Sequence, residues 1–252
     1  MAAQHKRVAI VTGSARGIGR ACALALAGRG YAIVLVDVLE SEMARTRSEI
    51  EQLRSPCLAY EADVALYGRA REVVDDVVRQ WGRVDVLINN AGRAQPKGIC
   101  ELSEVERNAT IDVNLKSCFN WIQPVVPHML AARYGRIVSM SSLNAHSGGV
   151  TAAVSKFAYA AAKAGIIGMT RSLAKELGPH ILVNCVCPGL IKTEVVGNAV
   201  IREREPELVK GIALRRVGTP WDVGEVVAFL ATSDPCFVTG QDIVIDGLQW
   251  NR

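Results

Sequence analysis

The most constraining feature of this sequence is a regular alternation of short apolar runs with longer segments of helical period. Seven runs are rich in valine, isoleucine and leucine, as buried strands are. The predicted strands are residues 8–11, 33–36, 58–64, 84–88, 136–140, 181–186 and 243–245. The predicted helices are residues 18–27, 41–53, 70–81, 102–130, 159–177 and 221–231. Pro124 and Pro127 are expected to kink or interrupt the fourth helix, because proline removes a main-chain donor.

This alternation predicts the α/β fold class. Strand–helix–strand units build parallel sheets with right-handed crossovers. Strands that are apolar almost throughout indicate a sheet covered by helices on both faces. No linker rich in proline, glycine or serine divides the chain, so residues 1–252 are expected to form one domain with a doubly wound, Rossmann-type sheet. Such sheets bind ligands beyond the carboxyl ends of their strands.

Composition excludes several classes of partner. Lysine and arginine total 29 and the acids 25, giving a net charge of +4 without the basic block of a nucleic-acid binder. No apolar run is long enough to span a membrane, and the polar start of the chain is a poor signal peptide. Seven cysteines with no zinc-site or disulfide spacing favour free thiols in a reducing cytosol. We therefore expect a cytoplasmic protein without a metal.

A glycine-rich turn follows the first predicted strand. It reads Thr12-Gly13-Ser14-Ala15-Arg16-Gly17-Ile18-Gly19. Glycines let a main chain approach a pyrophosphate closely, and the helix N-terminus behind them favours negative charge. The strict dinucleotide-binding spacing is absent, and a plain tight turn is the alternative interpretation.

Asp37 ends the second predicted strand, 18 residues after Gly19. An acid there accepts hydrogen bonds from an adenosine ribose and repels a 2′-phosphate, which favours NAD over NADP. Arg16 argues the other way, because it is able to meet such a phosphate. The alternative for Asp37 is a helix cap, which Ser41 is able to supply instead.

A second group of residues suits acid–base chemistry. Tyr159 and Lys163 are four residues apart and share one face of a predicted helix. Lowering a phenol pKa from 10 to neutrality needs roughly 4 kcal/mol, and a neighbouring ammonium and an oxidised nicotinamide are the charges expected to supply it. Ser141 and Ser142 follow the fifth strand, where a hydroxyl is able to donate to a carbonyl or simply form a turn.

Together these motifs resemble the short-chain dehydrogenase/reductase family over nearly the whole chain. Further resemblances are Asp63, Asn89-Asn90-Ala91-Gly92, Asn114, the segment from Pro188 to Thr193, Arg216-x-Gly218-x-Pro220 and Val238-Thr239-Gly240-Gln241. The resemblance implies an oxidoreductase that moves a hydride between NAD(H) and a secondary alcohol or ketone. The family commonly forms dimers or tetramers through its long helices, which implies a homo-oligomer here.

The resemblance also implies residue roles. Tyr159 exchanges the substrate proton, Lys163 lowers its pKa and holds the nicotinamide ribose, and Ser142 polarises the carbonyl. Asn114 holds a water that links Lys163 to solvent. The implied cofactor contacts are Gly13, Ser14, Arg16, Gly17, Ile18, Gly19, Asp37, Asp63, Val64, Asn89, Ala91, Gly92, Tyr159, Lys163, Pro188, Gly189, Ile191 and Thr193.

Two departures from the family pattern stand out. The gap between Ser142 and Tyr159 is long, so residues 143–158 are expected to carry an insertion, and the choice between Ser141 and Ser142 stays open. The family's Asp-Gly-Gly reads Asp246-Gly247-Leu248, which we expect to alter packing or assembly.

Two stretches of the chain are expected to shape the substrate pocket. Asn144, His146 and Lys156 are the candidate substrate contacts, and residues 194–214 a candidate lid with a charged, solvated helix face. Two alternatives to an NAD-linked alcohol dehydrogenase are an NADPH-dependent reductase of 3-oxoacyl thioesters and a non-catalytic dinucleotide sensor.

Overall fold

A computed structural model describes residues 6–149, 155–194 and 204–250. Seven parallel strands form one sheet with the order β3-β2-β1-β4-β5-β6-β7, which confirms the predicted fold class. The strands are β1 (Val8–Thr12), β2 (Ala32–Asp37), β3 (Cys57–Glu61), β4 (Val86–Asn89), β5 (Gly135–Met140), β6 (Ile181–Pro188) and β7 (Asp242–Ile245).

Helices cover both faces of this sheet. They are α1 (Gly17–Gly28), α2 (Glu40–Gln52), α3 (Tyr67–Trp81), α4 (Glu104–Ile111), α5 (Ser117–Ala131), α6 (Asn144–Ser147), α7 (Phe157–Leu177) and α8 (Pro220–Thr232). A π-helical turn (Asp112–Lys116) joins α4 to α5, and a 3-10 turn (Val209–Gly211) precedes α8. Among the helices of the described ranges, none has both the length and the apolar character that a bilayer crossing requires.

The central strand shows how one sequence serves two cores. Successive strand side chains point to opposite faces of a sheet. Val8 and Ile10 of β1 therefore pack into the core beneath α3, α5 and α7, whereas Ala9 and Val11 pack into the core beneath α1, α2 and α8. All four side chains are fully buried, so β1 needs a continuous apolar run rather than an alternating one.

The strand order reverses at β1, which lies between β2 and β4. The chain builds β1, β2 and β3 toward one edge and then returns to place β4 on the other side of β1. At such a reversal the loops after the two central strands diverge and leave a crevice. Thr12 and Asn89 end these two strands, so the crevice opens beside both residues.

Three predictions about local structure are wrong. The prolines do not interrupt the fourth helix, since α5 runs through Pro124 and Pro127, and the irregularity is instead the π-helical turn before it. The third strand stops at Glu61, because Asp63 accepts the main-chain N–H of Ala65 at 2.9 Å and turns the chain. Ser41 does not cap α2, which begins one residue earlier, at Glu40.

Candidate active site

The glycine-rich turn is too tightly packed for side chains. Gly13 has φ +63°, and a Cβ atom built on it lies 2.8 Å from the Ala91 Cα. A Cβ on Gly19 collides with the Gly13 carbonyl. The turn therefore brings bare main chain to the crevice between β1 and β4, as dinucleotide binding requires.

Two side chains from the ends of neighbouring strands fix this turn. The Asn90 Nδ2 donates to the carbonyls of Thr12 (3.0 Å) and Gly13 (2.9 Å). The Thr12 hydroxyl accepts the main-chain N–H groups of Asn90 (3.1 Å) and Ala91 (3.2 Å). Thr12 and Asn90 belong to two motifs that the sequence analysis assigned to the cofactor, but neither was among the implied cofactor contacts.

The N-terminus of α1 already attracts an acid. Its N-cap residue, Arg16, supplies no capping side chain. The Gly17 N–H instead donates to a Glu194 carboxylate oxygen at 3.1 Å, and a Cβ built on Gly17 lies 3.5 Å from Thr193. Thr193, which the resemblance places in the nicotinamide segment, thus lies beside the glycine-rich turn. No local pattern in the sequence marks Glu194.

Asp37 joins two loops at the carboxyl end of β2. Its Oδ2 accepts the Ala15 N–H of the glycine-rich turn at 2.9 Å. Its Oδ1 accepts the N–H groups of Val38 (2.8 Å) and Leu39 (3.1 Å), just before α2. The cap-like role that we weighed against ribose binding is therefore present, and both carboxylate oxygens accept main-chain N–H groups.

Arg16 is held by an acid of α2. Its guanidinium lies 3.2 Å from the Glu42 carboxylate, and both side chains are about two-thirds buried. An ion pair of this kind reduces the attraction of Arg16 for another anion.

The remaining adenosine-side candidates are more dispersed. Asp63 is exposed and lies two residues beyond Glu61, the partner of Asp37 in the β2–β3 pairing. The Val64 carbonyl accepts Asn120 Nδ2 at 3.0 Å. Asn89 is buried and donates to the Ser139 hydroxyl at 3.3 Å, so its amide ties β4 to β5.

Asn114 sits in the π-helical turn, a feature frequent at functional sites. Its Nδ2 donates to the carbonyls of Arg93 and Thr110, each at 2.9 Å, and its Oδ1 accepts the Arg93 N–H at 3.2 Å. A Cβ built on Gly92 lies 2.8 Å from Asn114 Oδ1 and 3.4 Å from Lys163 Nζ. The amide and the ammonium thus converge on one glycine.

Lys163 is buried in α7 and reaches the end of β5. Its Nζ donates to the Met140 carbonyl at 2.7 Å. Burial lowers the pKa of Lys163 to about 8, because desolvation disfavours the cation. The group is therefore still largely charged at neutral pH.

Tyr159 and Ser142 interact directly. Burial raises the pKa of the Tyr159 phenol, and a hydrogen bond with the Ser142 side chain opposes that rise. The Lys163 Nζ lies 5.5 Å from the centre of the tyrosine ring. The lowering of the Tyr159 pKa by Lys163 that the resemblance implied is not seen among these contacts, because the ammonium is turned to the Met140 carbonyl.

The two serines after β5 point to different places. The Ser141 hydroxyl is buried and donates to the Lys163 carbonyl at 2.8 Å, which anchors β5 to α7. The Ser142 hydroxyl accepts the Asn144 N–H at 3.2 Å and contacts Tyr159. Geometry thus favours Ser142 over Ser141 at the site.

Comparison with known proteins agrees with this arrangement. A family model described as enoyl-(acyl carrier protein) reductase matches residues 13–247. The chain belongs to the short-chain dehydrogenase/reductase family. Proteins of that family are NAD(P)-dependent oxidoreductases that act on CH–OH donors, and this chain is such an enzyme.

Relatives of the family cover almost the full length. A Thermotoga maritima protein named 3-oxoacyl-(acyl-carrier-protein) reductase FabG is 40% identical over 242 residues, which are 96% of each chain. Oxidoreductase UcpA of Salmonella typhimurium is 35% identical over 250 residues, 96% of this chain and 93% of its own.

Solved structures of the family superpose closely. A Brucella melitensis short-chain dehydrogenase/reductase, described as a glucose/ribitol dehydrogenase, gives a TM-score of 0.88 at 29% identity and full coverage of both chains. Levodione reductase gives a TM-score of 0.90 at 28% identity, over 96% of this chain and 97% of its own.

The end of β6 and the segment that follows it are hydrogen-bonded to neighbouring elements. The Pro188 carbonyl accepts the Leu143 N–H at 2.9 Å, and the Gly189 N–H donates to the Ile245 carbonyl at 3.0 Å. Ile191 forms a parallel bridge with Gly218, and a Cβ built on that glycine lies 2.5 Å from the Ile191 side chain. Leu248, in place of the family's glycine, has φ +60°, a left-handed conformation that side chains rarely adopt.

The candidate substrate contacts do not all face the site. Asn144 bonds to Ser142 and thus lies beside Tyr159. Lys156 is exposed, and its main-chain N–H donates to the Gln95 carbonyl at 2.7 Å. His146 is turned toward Asp242 on β7. Residues 150–154 of the expected insertion and residues 195–203 of the expected lid lie outside the described residues.

Proposed function

We propose that this enzyme transfers a hydride between NAD(H) and a secondary alcohol or ketone, with Tyr159 as the acid–base group. The observation that carries the proposal is the convergence of Ser142, Tyr159 and Lys163 beside the crevice at the carboxyl end of the sheet. No single element brings these groups together, since Ser142 follows β5 and the other two lie on α7.

The glycine-rich turn fits a dinucleotide. It has no room for Cβ atoms at Gly13 and Gly19, and its Gly17 N–H already binds one carboxylate. A pyrophosphate has the same need for main-chain donors at a helix N-terminus. When bound there, the nicotinamide cofactor supplies or accepts the hydride. The residues that we propose hold it are those of the turn with Asp37, Asp63, Val64, Asn89, Ala91, Gly92, Tyr159, Lys163, Pro188, Gly189, Ile191 and Thr193.

Tyr159 exchanges the proton at the substrate oxygen. Its raised pKa keeps the phenol protonated at neutral pH, which suits donation to a ketone oxygen. In the opposite direction the phenol must lose its proton, and the Lys163 cation favours that loss once its ammonium turns from the Met140 carbonyl toward the phenol. Ser142, which contacts the phenol, donates to the same substrate oxygen as charge develops on it.

Asn114 acts as a positioning residue in this proposal. Its amide is fully buried and bonded to the main chain on both sides, so it ties the π-helical turn to the loop after Gly92. We propose that its side chain orders a water that leads from Lys163 to solvent.

Asp37 and Glu42 support the choice of NAD over NADP. Asp37 places a negative charge beside the glycine-rich turn, where it repels a 2′-phosphate. Glu42 pairs with Arg16, the cation that is otherwise able to attract that phosphate.

A spectrophotometric assay tests the class and the cofactor together. Oxidation and reduction of nicotinamide are followed with a panel of secondary alcohols and ketones, with NAD(H) and NADP(H) in parallel. We expect turnover with NAD(H). Turnover only with NADP(H) contradicts the cofactor proposal, and tight cofactor binding without any turnover contradicts the catalytic one.

Two variants sharpen the cofactor test. Asp37→Asn and Glu42→Gln each keep a side chain of nearly the same shape while removing one negative charge. We expect each to raise the NADP/NAD ratio of kcat/KM by about tenfold, the effect of roughly 1.4 kcal/mol. Glu51→Gln, on the far end of α2, is the control, because its carboxylate pairs with Arg47 instead.

A reductase of 3-oxoacyl thioesters is the second candidate. The relative at 40% identity carries that name, and the raised pKa of Tyr159 suits proton donation. A 3-oxoacyl thioester in the same panel separates the two candidate functions, because only the thioester-reductase function predicts that the thioester is preferred over simple ketones.

A further inference from the structure

A nitrogen, a sulfur and an oxygen ligand meet outside the catalytic group. His146 of α6, Cys187 of β6 and Asp242 of β7 each present one such atom, and the three atoms lie within 4.8 Å of one another. We propose that these side chains bind one divalent transition-metal ion of the zinc class. This inference is independent of the proposed function, since none of the three residues is assigned to substrate turnover.

The ligand set suits zinc. Histidine nitrogen, thiolate sulfur and carboxylate oxygen are its usual donors, and three protein ligands leave a fourth position for water. With zinc–ligand bonds of about 2.0–2.3 Å, tetrahedral ligand atoms lie about 3.3–3.6 Å apart. His146 Nε2 and Asp242 Oδ2, which are 2.9 Å apart, must therefore separate slightly, while the longest separation in the cluster is at most 4.8 Å. Side-chain rotation is able to supply both changes.

The His146 ring nitrogen points to a missing ligand. Nε2 lies 2.9 Å from Asp242 Oδ2, yet it is buried and makes no aligned hydrogen bond with any described residue. A buried polar atom without a partner is costly. A metal between Nε2, Oδ2 and the sulfur removes that cost.

The surroundings hold the ligands in place. The Arg171 guanidinium binds Asp242 Oδ1 at 2.8 Å, which leaves Oδ2 for the ion. The Trp250 ring stacks on His146 with centroids 5.3 Å apart. Such outer contacts orient metal ligands. The side chains of His146 and Asp242 are 17% and 11% exposed, so an ion is able to reach them.

The sulfur ligand lies on a strand that pairs with the strand of the carboxylate ligand. Cys187 is fully buried on β6 and pairs with Val244 of β7, two residues after Asp242. Metal binding uses the thiolate form, so uptake of the ion releases the thiol proton. Cys185, its neighbour on β6, is not part of the three-residue cluster.

Cobalt binding to the full-length protein tests the site, after chelator treatment and dialysis. We expect one equivalent of Co²⁺ to give the thiolate-to-cobalt charge-transfer band and the intense visible bands of a tetrahedral site, and one equivalent of Zn²⁺ to remove them. Cys187→Ala is expected to abolish the charge-transfer band. His146→Ala, a change in a four-residue surface helix, is expected to weaken binding by at least tenfold.

Matched variants decide the origin of the signal. Cys185→Ala removes a buried thiol from the same strand, and Cys100→Ala removes an exposed one. We expect both to keep the band. The proposal is overturned if the unmodified protein shows no charge-transfer band. It is also overturned if the band survives in Cys187→Ala or is lost in Cys100→Ala. If Cys187→Ala does not fold, undiminished binding by His146→Ala overturns it equally.

Discussion

The two halves of the site are built in different ways. In the cofactor half, main-chain groups face one another, and the few side chains involved, Thr12, Asn90 and Asp37, bond to main chain. In the catalytic half, side chains converge from β5, the π-helical turn and α7, as Ser142, Asn114 and Lys163 do. The cofactor half is thus specified by shape and the catalytic half by chemical identity.

This difference predicts different responses to mutation. A shape-specified site fails when atoms are added, whereas the loss of a single charge changes only which cofactor it prefers. A site specified by chemical identity fails when one polar atom is removed, while its shape persists.

Removal of the Tyr159 hydroxyl is expected to have the largest effect. Tyr159→Phe keeps the ring and the packing of α7 but loses the proton carrier, so kcat should fall by at least about 10³-fold. Cofactor affinity, measured by fluorescence titration with reduced nicotinamide, should change less than about threefold. A variant that retains substantial turnover removes Tyr159 from the acid–base role.

Addition of one carbon to the glycine-rich turn is expected to break the cofactor half. In Gly19→Ala the new Cβ collides with the Gly13 carbonyl and the Asn90 amide. The turn must then open, and we expect cofactor binding to weaken by about a hundredfold. Gly28→Ala at the other end of α1 is the control, since its Cβ meets no atom within 4 Å. Equal affinity of the two variants contradicts the close-packed turn.

The pH profile is expected to report on Lys163. Its pKa, lowered to about 8 by burial, means that the cation is present below that pH and lost above it. The Tyr159 pKa is raised, so the phenol keeps its proton over the same range. The kcat/KM for ketone reduction should therefore fall above pH 8, toward tenfold per pH unit.

Lys163→Arg checks the assignment of that titration. Arginine stays charged throughout, so any residual activity should lose the inflection near pH 8. An inflection that remains at the same pH in this variant assigns the titration to another group.

Relief of strain at Leu248 is expected to have the smallest effect. Leucine at φ +60° destabilises the folded state by about 1–2 kcal/mol. Glycine removes this strain, but its larger unfolded-state entropy offsets part of the gain in stability. Leu248→Gly should raise the free energy of unfolding by about 0.5–1 kcal/mol, a few degrees in Tm. Leu66→Gly, at an equally exposed leucine with φ −92°, should lower it. The same sign for both variants contradicts strain at Leu248.

The sequence predicts the cofactor half well because its signals are local. The turn from Thr12 to Gly19 is a continuous stretch, and Asp37 ends the next strand. Seven apolar runs were likewise sufficient for the strand count, because buried strands differ from helices in length and composition. Boundaries were less certain, since the turn at Asp63 depends on one side-chain hydrogen bond.

The catalytic half was less predictable because its contacts join distant parts of the chain. Ser141 and Ser142 are alike in sequence, and only the orientation of β5 toward α7 separates them. Glu194 meets Gly17 across 177 positions, and no local pattern marks such a pair. The three proposed metal ligands also leave no local signal, because they lie on three different elements and lack the spacing of a zinc motif.

The π-helical turn has a consequence for the whole outer surface of that face. The π-helical turn contains one residue more than the equivalent α-helical turn. This extra residue rotates all following side chains by about 100° around the helix axis. The segment before the turn therefore presents one stripe to α7, and the segment after it presents a differently phased stripe to α3. The continuous helix from α4 to α5 is thereby able to pack against both α7 and α3, which lie on differently oriented sides of it. Asn114 stands at the point where the phase changes, so the same inserted residue that lets the helix change partners also brings this amide to the site.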